Sequence, residues 1–563
     1  MGGIVTANAA RRRIPPVTHL CVSISVEAPD EIHVALADAR RAVEHGADMV
    51  EWRVDALAEC EDALRHVRTL VRESPVPCIV TIRGAREGGE WRGDETDRVS
   101  FLEALCTASG EVAPTYIDFE LADLQRSANV RQKLELCVEH PGQVRTVGTR
   151  LILSAHDFEG RPAALLRQWT AMAEADACAV AKVAWRARSV RDNIEAFELL
   201  ATRVKPAVVL CMGEPGLMSR VLAPKFGAFL TFAHAGSDSD AQRAAANAAG
   251  TAPGQVSVQD MVNLYGFRSI DSATRVFGVI GWPVSHSRSP HVHNEWFRAA
   301  GRNAVLLPMP IPPEYEHFKA TVAELLAFAP LDFRGACVTI PHKEHLVRFV
   351  TEQGGYVEAL AARIGAANTL YLNAAGALHC ANTDAPAAVD ALTYGMGIER
   401  AALRGKRIAV LGAGGVARAV AVGLADEGAQ VVVFNRNEDR ARRMCAQLQE
   451  AAAQARNAAG GLGNSDAVAG SIIAGRTAEL GSGGFHAFVN CTPVGMQGGS
   501  DPQGNPLAGD VHLDDSVTVM DTVYAPLETP LLVYARSCGA RTVDGWVMFT
   551  KQAERQFRLW HTD

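Results

Sequence analysis

Between residues 19 and 233 the chain carries eight short apolar, β-branched runs: HLCVSISV (19–26), DMVEWRVD (48–55), PCIVTIR (77–83), PTYIDFEL (114–121), RLILSAHDF (150–158), CAVAKVAWR (178–186), AVVLCMG (207–213) and AFLTFA (228–233). They are spaced by about 20 to 37 residues, most with a helix-length amphipathic segment between them, which is the rhythm of a (β/α)8 barrel. Several carry a polar, charged or sulfur-bearing residue at or near the C-terminal end, where a buried parallel strand ordinarily stays apolar: Glu51, Arg53, Asp55, Arg83, Glu120, His156, Lys182 and Met212. In a barrel all those ends share one face, the face that hosts chemistry.

The pattern restarts at Arg275. VFGVIG (276–281), VLLPMPI (305–311), GACVTIP (335–341) and TLYLN (369–373) read as strands with helical segments between them. From 405, GKRIAVLGAGGVARAVAVGLADEGAQVVVFNR reads as strand, Gly turn, helix, strand, one mononucleotide-binding βαβ unit. AFVNCTP (487–493) and VTVMDTVY (517–524) add strands, and GWVMFTKQAERQFRLW (545–560) has helical periodicity. The Ala/Gly/Asn-rich stretch 451–469 reads as an enlarged surface loop. Residues 234–274 suit a linker, although TAPGQ (251–255) is also placed to fold back as a lid after the eighth strand.

Composition narrows the function classes. The 563 residues are 48% hydrophobic and 21% charged with a formal net charge of −8, which supplies core material but no basic field for a phosphate backbone or an anionic membrane surface. Neither nucleic acid nor membrane is an expected partner. No apolar run approaches the ~18 residues of a membrane-spanning helix. Twelve cysteines, scattered from Cys21 to Cys538 without a C-x-x-C pair and often inside strand-like runs, read as buried thiols in a reducing compartment. The N-terminal MGGIVTANAARRRIPPV is Arg-bearing but short for a transit peptide and lacks a signal-peptide apolar core, so the expected compartment is the cytoplasm, or a plastid only if a transit peptide is missing from this sequence.

Lys182 lies in the middle of an apolar run, where a charged amine is costly to bury and burial favours its neutral form. Two readings follow: an amine nucleophile that forms a Schiff base with a ketone, or a lysine paired with Glu51 or Asp55 for stability. His156, at the end of the preceding strand, would lie beside it and could take a proton α to an iminium carbon and return it to a leaving hydroxyl. Arg53, Arg83 and Arg220 could converge with Gln255 on a carboxylate or hydroxyls, or each form a surface ion pair.

EWRVD, TIRGAREGGEW, SAHDF, AKVAW, CMGEPGLMSR, PKFG, LTFA and TAPGQ, in this order over about 235 residues, resemble a type I 3-dehydroquinate dehydratase. The resemblance implies Lys182 as the Schiff-base lysine, His156 as general acid/base and Glu87 as its orienting partner. It implies Glu51, Arg53, Arg83, Arg220, Thr251 and Gln255 as substrate-binding groups, with Thr251 where the family commonly has Ser.

In the second half GAGGVA fits G-x-G-x-x-G/A: Gly412 for the turn, Gly414 for close approach of a pyrophosphate, Ala417 for helix–strand packing. An NAD site would want Asp or Glu at the end of the next strand; here stand Asn435 and Arg436, and a guanidinium there favours a 2′-phosphate, hence NADP. The alternative is an arginine on a solvated loop. PVSHSRSPHVHN brings His286, His291 and His293 close in sequence, but no cysteine or carboxylate completes a metal site at ligand spacing, so no metal is expected. Its serines suit hydrogen bonding to a small polar ligand. Lys343 and Asp384 are the cation and carboxylate that could flank a hydride-transfer centre, or else a structural salt bridge.

PVSHSRSP, VTIPHKE, GAANTL, ANTDAP, NRNEDRAR, NCTPVGM, DTVY and GWVMFTKQA are together similar to shikimate dehydrogenase across 275–563. The resemblance implies Lys343 and Asp384 as the catalytic pair and Ser285, Ser287, Thr339, Asn368 and Gln552 as shikimate ligands. NADP would be held by Gly412, Ala413, Gly414, Gly415, Val416 and Ala417 with Asn435, Arg436 and Thr492. Asn437 replaces the usual Thr after Asn-Arg, and Trp546 follows Gly545 where the family is variable. Ser287 and Thr339 follow the shikimate-type rather than the quinate-type pattern.

The order of the halves resembles the fused bifunctional enzymes of the shikimate pathway, which implies an α/β chain: a TIM barrel, then a dehydrogenase with a substrate lobe and a Rossmann lobe. The boundaries expected are 17–257 for the barrel, 258–274 for a linker, 275–395 for the shikimate-binding lobe, 396–528 for the NADP-binding lobe and 529–563 for C-terminal helices returning to the substrate lobe. The implied function is dehydration of 3-dehydroquinate to 3-dehydroshikimate and its reduction to shikimate with NADPH. The alternatives are a dehydratase fused to a quinate/shikimate dehydrogenase acting oxidatively with NAD, or to a silent NADP-binding regulatory module.

Overall fold

The computed structural model describes residues 17–107, 112–140, 148–236, 254–285, 287–458, 470–507 and 511–561. By its contacts the chain forms two compact units, one of Met1–Arg275 with Asn294–Pro310 and Ala327–Asp332, the other of Val276–His293, Ile311–Leu326 and Phe333–Asp563.

The first unit holds β1 (His19–Ser25), β2 (Met49–Arg53), β3 (Cys78–Thr81), β4 (Tyr116–Glu120), β5 (Arg150–Asp157), β6 (Cys178–Arg186), β7 (Ala207–Met212) and β8 (Leu230–Ala233). They lie in the order β7-β6-β5-β4-β3-β2-β1-β8, and each hydrogen-bonded pair is parallel. Where β8 meets β7 the Phe229 N–H donates to the Ala207 carbonyl at 2.7 Å. This is the expected TIM barrel.

Period-2 alternation fills its interior in layers. Cys21, Met49, Ile79, Tyr116, Ile152 and Val180 belong to one buried apolar cluster. Two residues further along each strand, on the same face, come Ser23, Glu51, Thr81, Asp118, Ser154 and Lys182, all buried. The barrel is thus dry at one level and polar one level nearer its C-terminal mouth.

The segment 258–274, expected as a linker, is part of this unit. Met261 and Phe267 are buried, Arg268 reaches Asp48 at 2.8 Å, and Lys225 donates to the carbonyls of Ser272 and Thr274. Its apolar residues at 258, 261, 265 and 267 explain the difference: Val258, Met261, Tyr265 and Phe267 are all core residues.

The second half continues with β9 (Arg275–Gly281), β10 (Ala304–Pro310), β11 (Phe333–Val338), β12 (Tyr356–Val357), β13 (Thr369–Leu372) and β14 (Leu378–Ala381). β11 pairs parallel with β9 and antiparallel with β13, and β14 follows β13 with β12 beyond it. A separate parallel sheet comprises β15 (Arg407–Leu411), β16 (Gln430–Phe434), β17 (Ser471–Ala474), β18 (Ala487–Asn490), β19 (Thr518–Asp521) and β20 (Arg541–Val543), ordered β17-β16-β15-β18-β19-β20. That is the doubly wound dinucleotide order, whose crevice opens where the order reverses, between β15 and β18. The last helix, Gly545–Leu559, leaves this sheet and returns to the substrate lobe: Gln556 donates to the Asn368 carbonyl at 3.0 Å and Trp560 to that of Leu370 at 3.1 Å.

The expected loop 451–469 is half corrected: the helix Glu438–Ala458 runs through its first eight residues, whose alanines are strong helix formers, and the rest lies outside the described residues.

Candidate functional site

In the barrel, Lys182 Nζ stands 2.9 Å from Asp118 Oδ2 and 3.6 Å from Glu51 Oε1, and 4.5 Å from the centre of the Phe232 ring. The carboxylate partners are Asp118 and Glu51; Asp55, expected as an alternative, instead holds Arg53 at 2.6 Å. Asp118 also receives hydrogen bonds from Arg83 (2.9 Å) and Ser154 (2.6 Å), and Glu51 from Ser23 (2.6 Å) and Thr81 (2.9 Å). Burial pushes both carboxyls up, but Arg83 and Lys182 beside Asp118, and Lys182 and Arg53 beside Glu51, outweigh it and hold both below their ordinary values. The lysine therefore faces two firmly ionised acids.

His156 Nδ1 lies 2.9 Å from Glu87 Oε2, which also accepts the His156 backbone N–H at 2.9 Å. Burial, with Arg83 and Lys182 nearby, holds the imidazole well below its ordinary value, and burial raises the Glu87 carboxyl to about 8. A neutral imidazole with one nitrogen fixed leaves Nε2 for proton transfer.

Arg83 and Arg220, grouped by sequence, differ in what holds them. Arg83 is spent on Asp118, Ser154 and Glu120, at 2.9, 2.8 and 3.2 Å. Arg220, 1% exposed, has no carboxylate or carbonyl partner among the described residues; its Nε is unsatisfied there and burial lowers its guanidinium to about 10. An unpaired buried guanidinium is a socket for an anion. The motif CMGEPGLMSR builds it: a Cβ at Gly216 would lie 2.2 Å from the Cys211 carbonyl, so the chain turns tightly there, and Ser219 Oγ accepts the Cys211 N–H at 2.9 Å. The helix Leu217–Val221 then carries Arg220 into the interior.

After β8 the chain folds back: Gly254 (φ 75°) packs so closely on Gly213 that a Cβ would meet its carbonyl at 2.4 Å, and Gln255 beside it is buried. Thr251 lies outside the described residues.

In the second unit Lys343 and Asp384 each begin a helix, Lys343–Glu352 and Asp384–Met396, and meet with Nζ 2.6 Å from Oδ2. Asn368 donates to Asp384 Oδ1 (2.9 Å) and Gln552 Oε1 (3.2 Å), so these four expected residues form one buried cluster. Trp282 N–H bonds the Ile340 carbonyl at 3.0 Å, which lays the serine segment beside Thr339. Ser287 Oγ is 3.2 Å from Ser289 Oγ, while Ser285 is exposed. His286 is outside the described residues, and His293 is buried against Cys337 and Trp560.

A cavity of about 650 Å³ opens at the β15/β18 crevice, lined by residues 412–416, Asn435, Arg436 and Thr492, and reaching Lys343. Ala417 is buried beneath it in the helix–sheet core. The residues present fit a dinucleotide: Gly412 has φ 115° and a Cβ there would meet the Cys491 carbonyl at 3.0 Å, while a Cβ at Gly414 would stand in open space, where a pyrophosphate needs the backbone bare. Arg436 is exposed at its rim.

Sequence reasoning missed Asp118, Ser23, Ser154 and Thr81 in the barrel, although each is the polar residue two places after an apolar one. It also missed Arg440, which lines the nucleotide cavity; Arg442, held by Asp439 at 2.7 Å, does not.

Residues 20–272 match the type I 3-dehydroquinase family, 279–370 the shikimate dehydrogenase substrate binding domain and 398–478 the shikimate/quinate 5-dehydrogenase family. The bifunctional 3-dehydroquinate dehydratase/shikimate dehydrogenase, chloroplastic, of Arabidopsis thaliana is 32% identical over 543 residues, 94% of this chain and 80% of that one. An NADP(+) shikimate dehydrogenase of Methanocella arvoryzae is 37% identical over 51% of this chain and 92% of its own, and one of Gluconobacter oxydans 38% identical over 52% and 91%.

Proposed function

We infer the following residue roles from one premise: the chain belongs to the family of bifunctional 3-dehydroquinate dehydratase/shikimate dehydrogenases. It is a lyase and an NADP-dependent oxidoreductase of the shikimate pathway, dehydrating 3-dehydroquinate and reducing 3-dehydroshikimate. The observation that carries the assignment of roles is the pair of separate buried amines, Lys182 in the polar layer of the barrel and Lys343 at the nucleotide cavity, each held by a carboxylate below 3 Å.

On the barrel, Lys182 passes a proton to the neutral imidazole of His156 and its free amine adds to the C3 ketone of the substrate; the imidazole returns that proton to the carbinolamine hydroxyl, which leaves as water and gives an iminium. His156 Nε2 takes the C2 proton, the electron pair forms the C1–C2 double bond, and the C1 hydroxyl departs as water with the proton returned by the imidazole. Hydrolysis of the iminium consumes the water first released, so one water leaves overall. Arg220 receives the substrate carboxylate, Glu51, Arg53, Thr251 and Gln255 bind its hydroxyls, and Arg83, held by Asp118, Ser154 and Glu120, frames the site.

In the second unit residues 412–417, Asn435, Arg436 and Thr492 would hold NADPH, which when bound would supply the hydride. Lys343 donates the proton to the ketone oxygen, Asp384 orients that amine, and Ser285, Ser287, Thr339, Asn368 and Gln552 bind the ring substituents. Shikimate rather than quinate is the proposed substrate, supported by the hydroxyls of Ser287 and Thr339. Among the described residues no helix is long and apolar enough to cross a membrane. We place the chain in the cytoplasm, a reading supported by the packing of nine of its twelve free thiols as buried core residues.

Supplying the purified protein with 3-dehydroquinate and NADPH tests the whole: shikimate must accumulate as NADPH is consumed. 3-Dehydroshikimate accumulating with NADPH untouched would leave the second unit without its assigned role.

A further inference from the structure

Asp521 and Asn490 end neighbouring parallel strands, β19 and β18, in register with one another. Both are fully buried. Asp521 accepts three hydrogen bonds: from Thr529 Oγ1 at 2.7 Å, from the Val523 N–H at 3.0 Å and from Asn490 Nδ2 at 2.9 Å. Asn490 turns its other face to the crevice, where Oδ1 accepts the Thr492 N–H at 3.0 Å and the Thr492 hydroxyl at 2.7 Å. Thr492 and its neighbours Cys491, Pro493 and Val494 line the nucleotide cavity, and Thr492 Cγ2 lies 3.2 Å from where a Cβ on Gly412 would stand.

The hydrogen-bond potential is directional. Asn490 accepts twice from Thr492 through Oδ1, which turns its amide nitrogen to two acceptors: Asp521 Oδ1 at 2.9 Å and, at a longer 3.4 Å, the Val494 carbonyl. We propose that Asp521 is a positioning residue for the dehydrogenase: through Asn490 it fixes the orientation of Thr492 and the 491–494 segment against the Gly-rich turn, and so sets the affinity for the dinucleotide. Asp521 itself does not line the cavity. Burial raises its carboxyl to about 6, so at neutral pH it is ionised and acceptor-only, as the three donors require. Anchoring by Thr529, which caps the helix Pro530–Ser537, ties the chain of bonds to the core.

The inference rests on the NADP-dependent dehydrogenase reading. Its test is the dissociation constant for NADP+ measured by calorimetry on the full chain, with kcat and KM for 3-dehydroshikimate at saturating NADPH. Asp521→Ala is expected to weaken NADP+ by about ten- to thirtyfold while kcat at saturation changes less than about threefold. Asp521→Asn keeps an acceptor for Asn490 and Val523 and turns its amide to the Thr529 hydroxyl, so it is expected to restore binding to within about threefold of wild type. Thr492→Val, which removes only the last hydroxyl of the chain and threatens no core residue, is expected to weaken NADP+ by about five- to tenfold.

Wild-type affinity in Asp521→Ala, or equal loss with the Asn variant, would overturn the proposal. So would a parallel fall in NADP+ affinity, kcat and dehydroshikimate affinity, which is the signature of general loosening. Should Asp521→Ala not fold, wild-type affinity in Thr492→Val overturns it alone. A wild-type protein that binds no NADP+ at all would instead bring down the dehydrogenase reading, and this inference with it.

Discussion

Lys182 Nζ and Asp118 Oδ2 face each other across the barrel interior at 2.9 Å, from two strands that are not neighbours in the sheet. β5 lies between them and contributes Ser154, which bonds the same carboxylate. The amine is therefore held in one place before any substrate arrives, and its acid partner stays in place through Arg83 if the amine is consumed.

From that arrangement follows a covalent test. Borohydride added while 3-dehydroquinate turns over should reduce the iminium and leave a stable adduct on Lys182, located by peptide mass. Lys182→Ala should lower dehydration by at least about a thousandfold. Reduction of 3-dehydroshikimate should persist, since its residues lie in the other unit. An adduct on a different lysine would dismiss Lys182 as the nucleophile.

Arg220 predicts a trade between stability and binding. Among the described residues its buried guanidinium has no carboxylate to balance it, so Arg220→Met removes an uncompensated charge and should leave the thermal midpoint equal to or above wild type. Without the cation the substrate carboxylate has no counter-charge, and KM for 3-dehydroquinate should rise about a hundredfold with kcat less affected. His156→Ala should do the opposite and lower kcat chiefly. A drop in midpoint for Arg220→Met would mean that the guanidinium supports the fold.

Glu87 gives a pH dependence with a definite sign. Its folded carboxyl is raised to about 8, chiefly by burial, so its stabilising contribution is full below the unfolded value near 4.5 and is lost as pH rises toward 8. Glu87→Gln mimics the protonated form. At pH 6 to 8.5 the barrel's thermal midpoint should decline in wild type and decline less in the variant, with a difference on the order of 1–3 kcal/mol at the upper end. Scanning calorimetry of both proteins across that range decides it; parallel curves would show that Glu87 is ionised throughout.

The barrel was legible in the sequence because eight strand-like runs repeat, and repetition tolerates an uncertain boundary in any one of them. The polar layer was half legible. Glu51 and Lys182 stood out as charges within apolar runs, whereas Asp118 hid in YIDFE beside Glu120, and Ser23, Thr81 and Ser154 looked like ordinary strand residues. Their common level in the barrel depends on the stagger between strands, which no single run encodes. In the second half β12, β14, β17 and β20, of two to four residues, are too short to show a period and were not expected, whereas the equally short β13, β18 and β19 lie within longer apolar runs that reveal them. The Lys343–Asp384–Asn368–Gln552 cluster draws on residues 209 positions apart: Lys343 and Asp384 stood out as a cation and a carboxylate, but Asn368 and Gln552 were expected only through family resemblance.

At the nucleotide rim Arg436 and Arg440 both line the cavity. A 2′-phosphate needs a cation just beyond β16, and Arg436 at the cavity rim meets that need with no acid partner among the described residues. Arg442, one turn into the next helix, is tied to Asp439 at 2.7 Å and to Glu438 at 3.5 Å. Arg440 lines the cavity instead. Arg436→Ala should therefore reduce kcat/KM for NADPH by about ten- to a hundredfold and leave the low activity with NADH nearly unchanged. Arg440→Ala should do the same to a smaller extent, the double variant should erase most of the preference, and Arg442→Ala should alter neither cofactor by more than about twofold. Shikimate KM, set by groups around Lys343 and Asp384, should hold in all four proteins. Steady-state kinetics with both cofactors separates the possibilities: equal losses with NADPH and NADH in Arg436→Ala would assign that residue to the fold, and a strong effect of Arg442→Ala would return the phosphate to the helix.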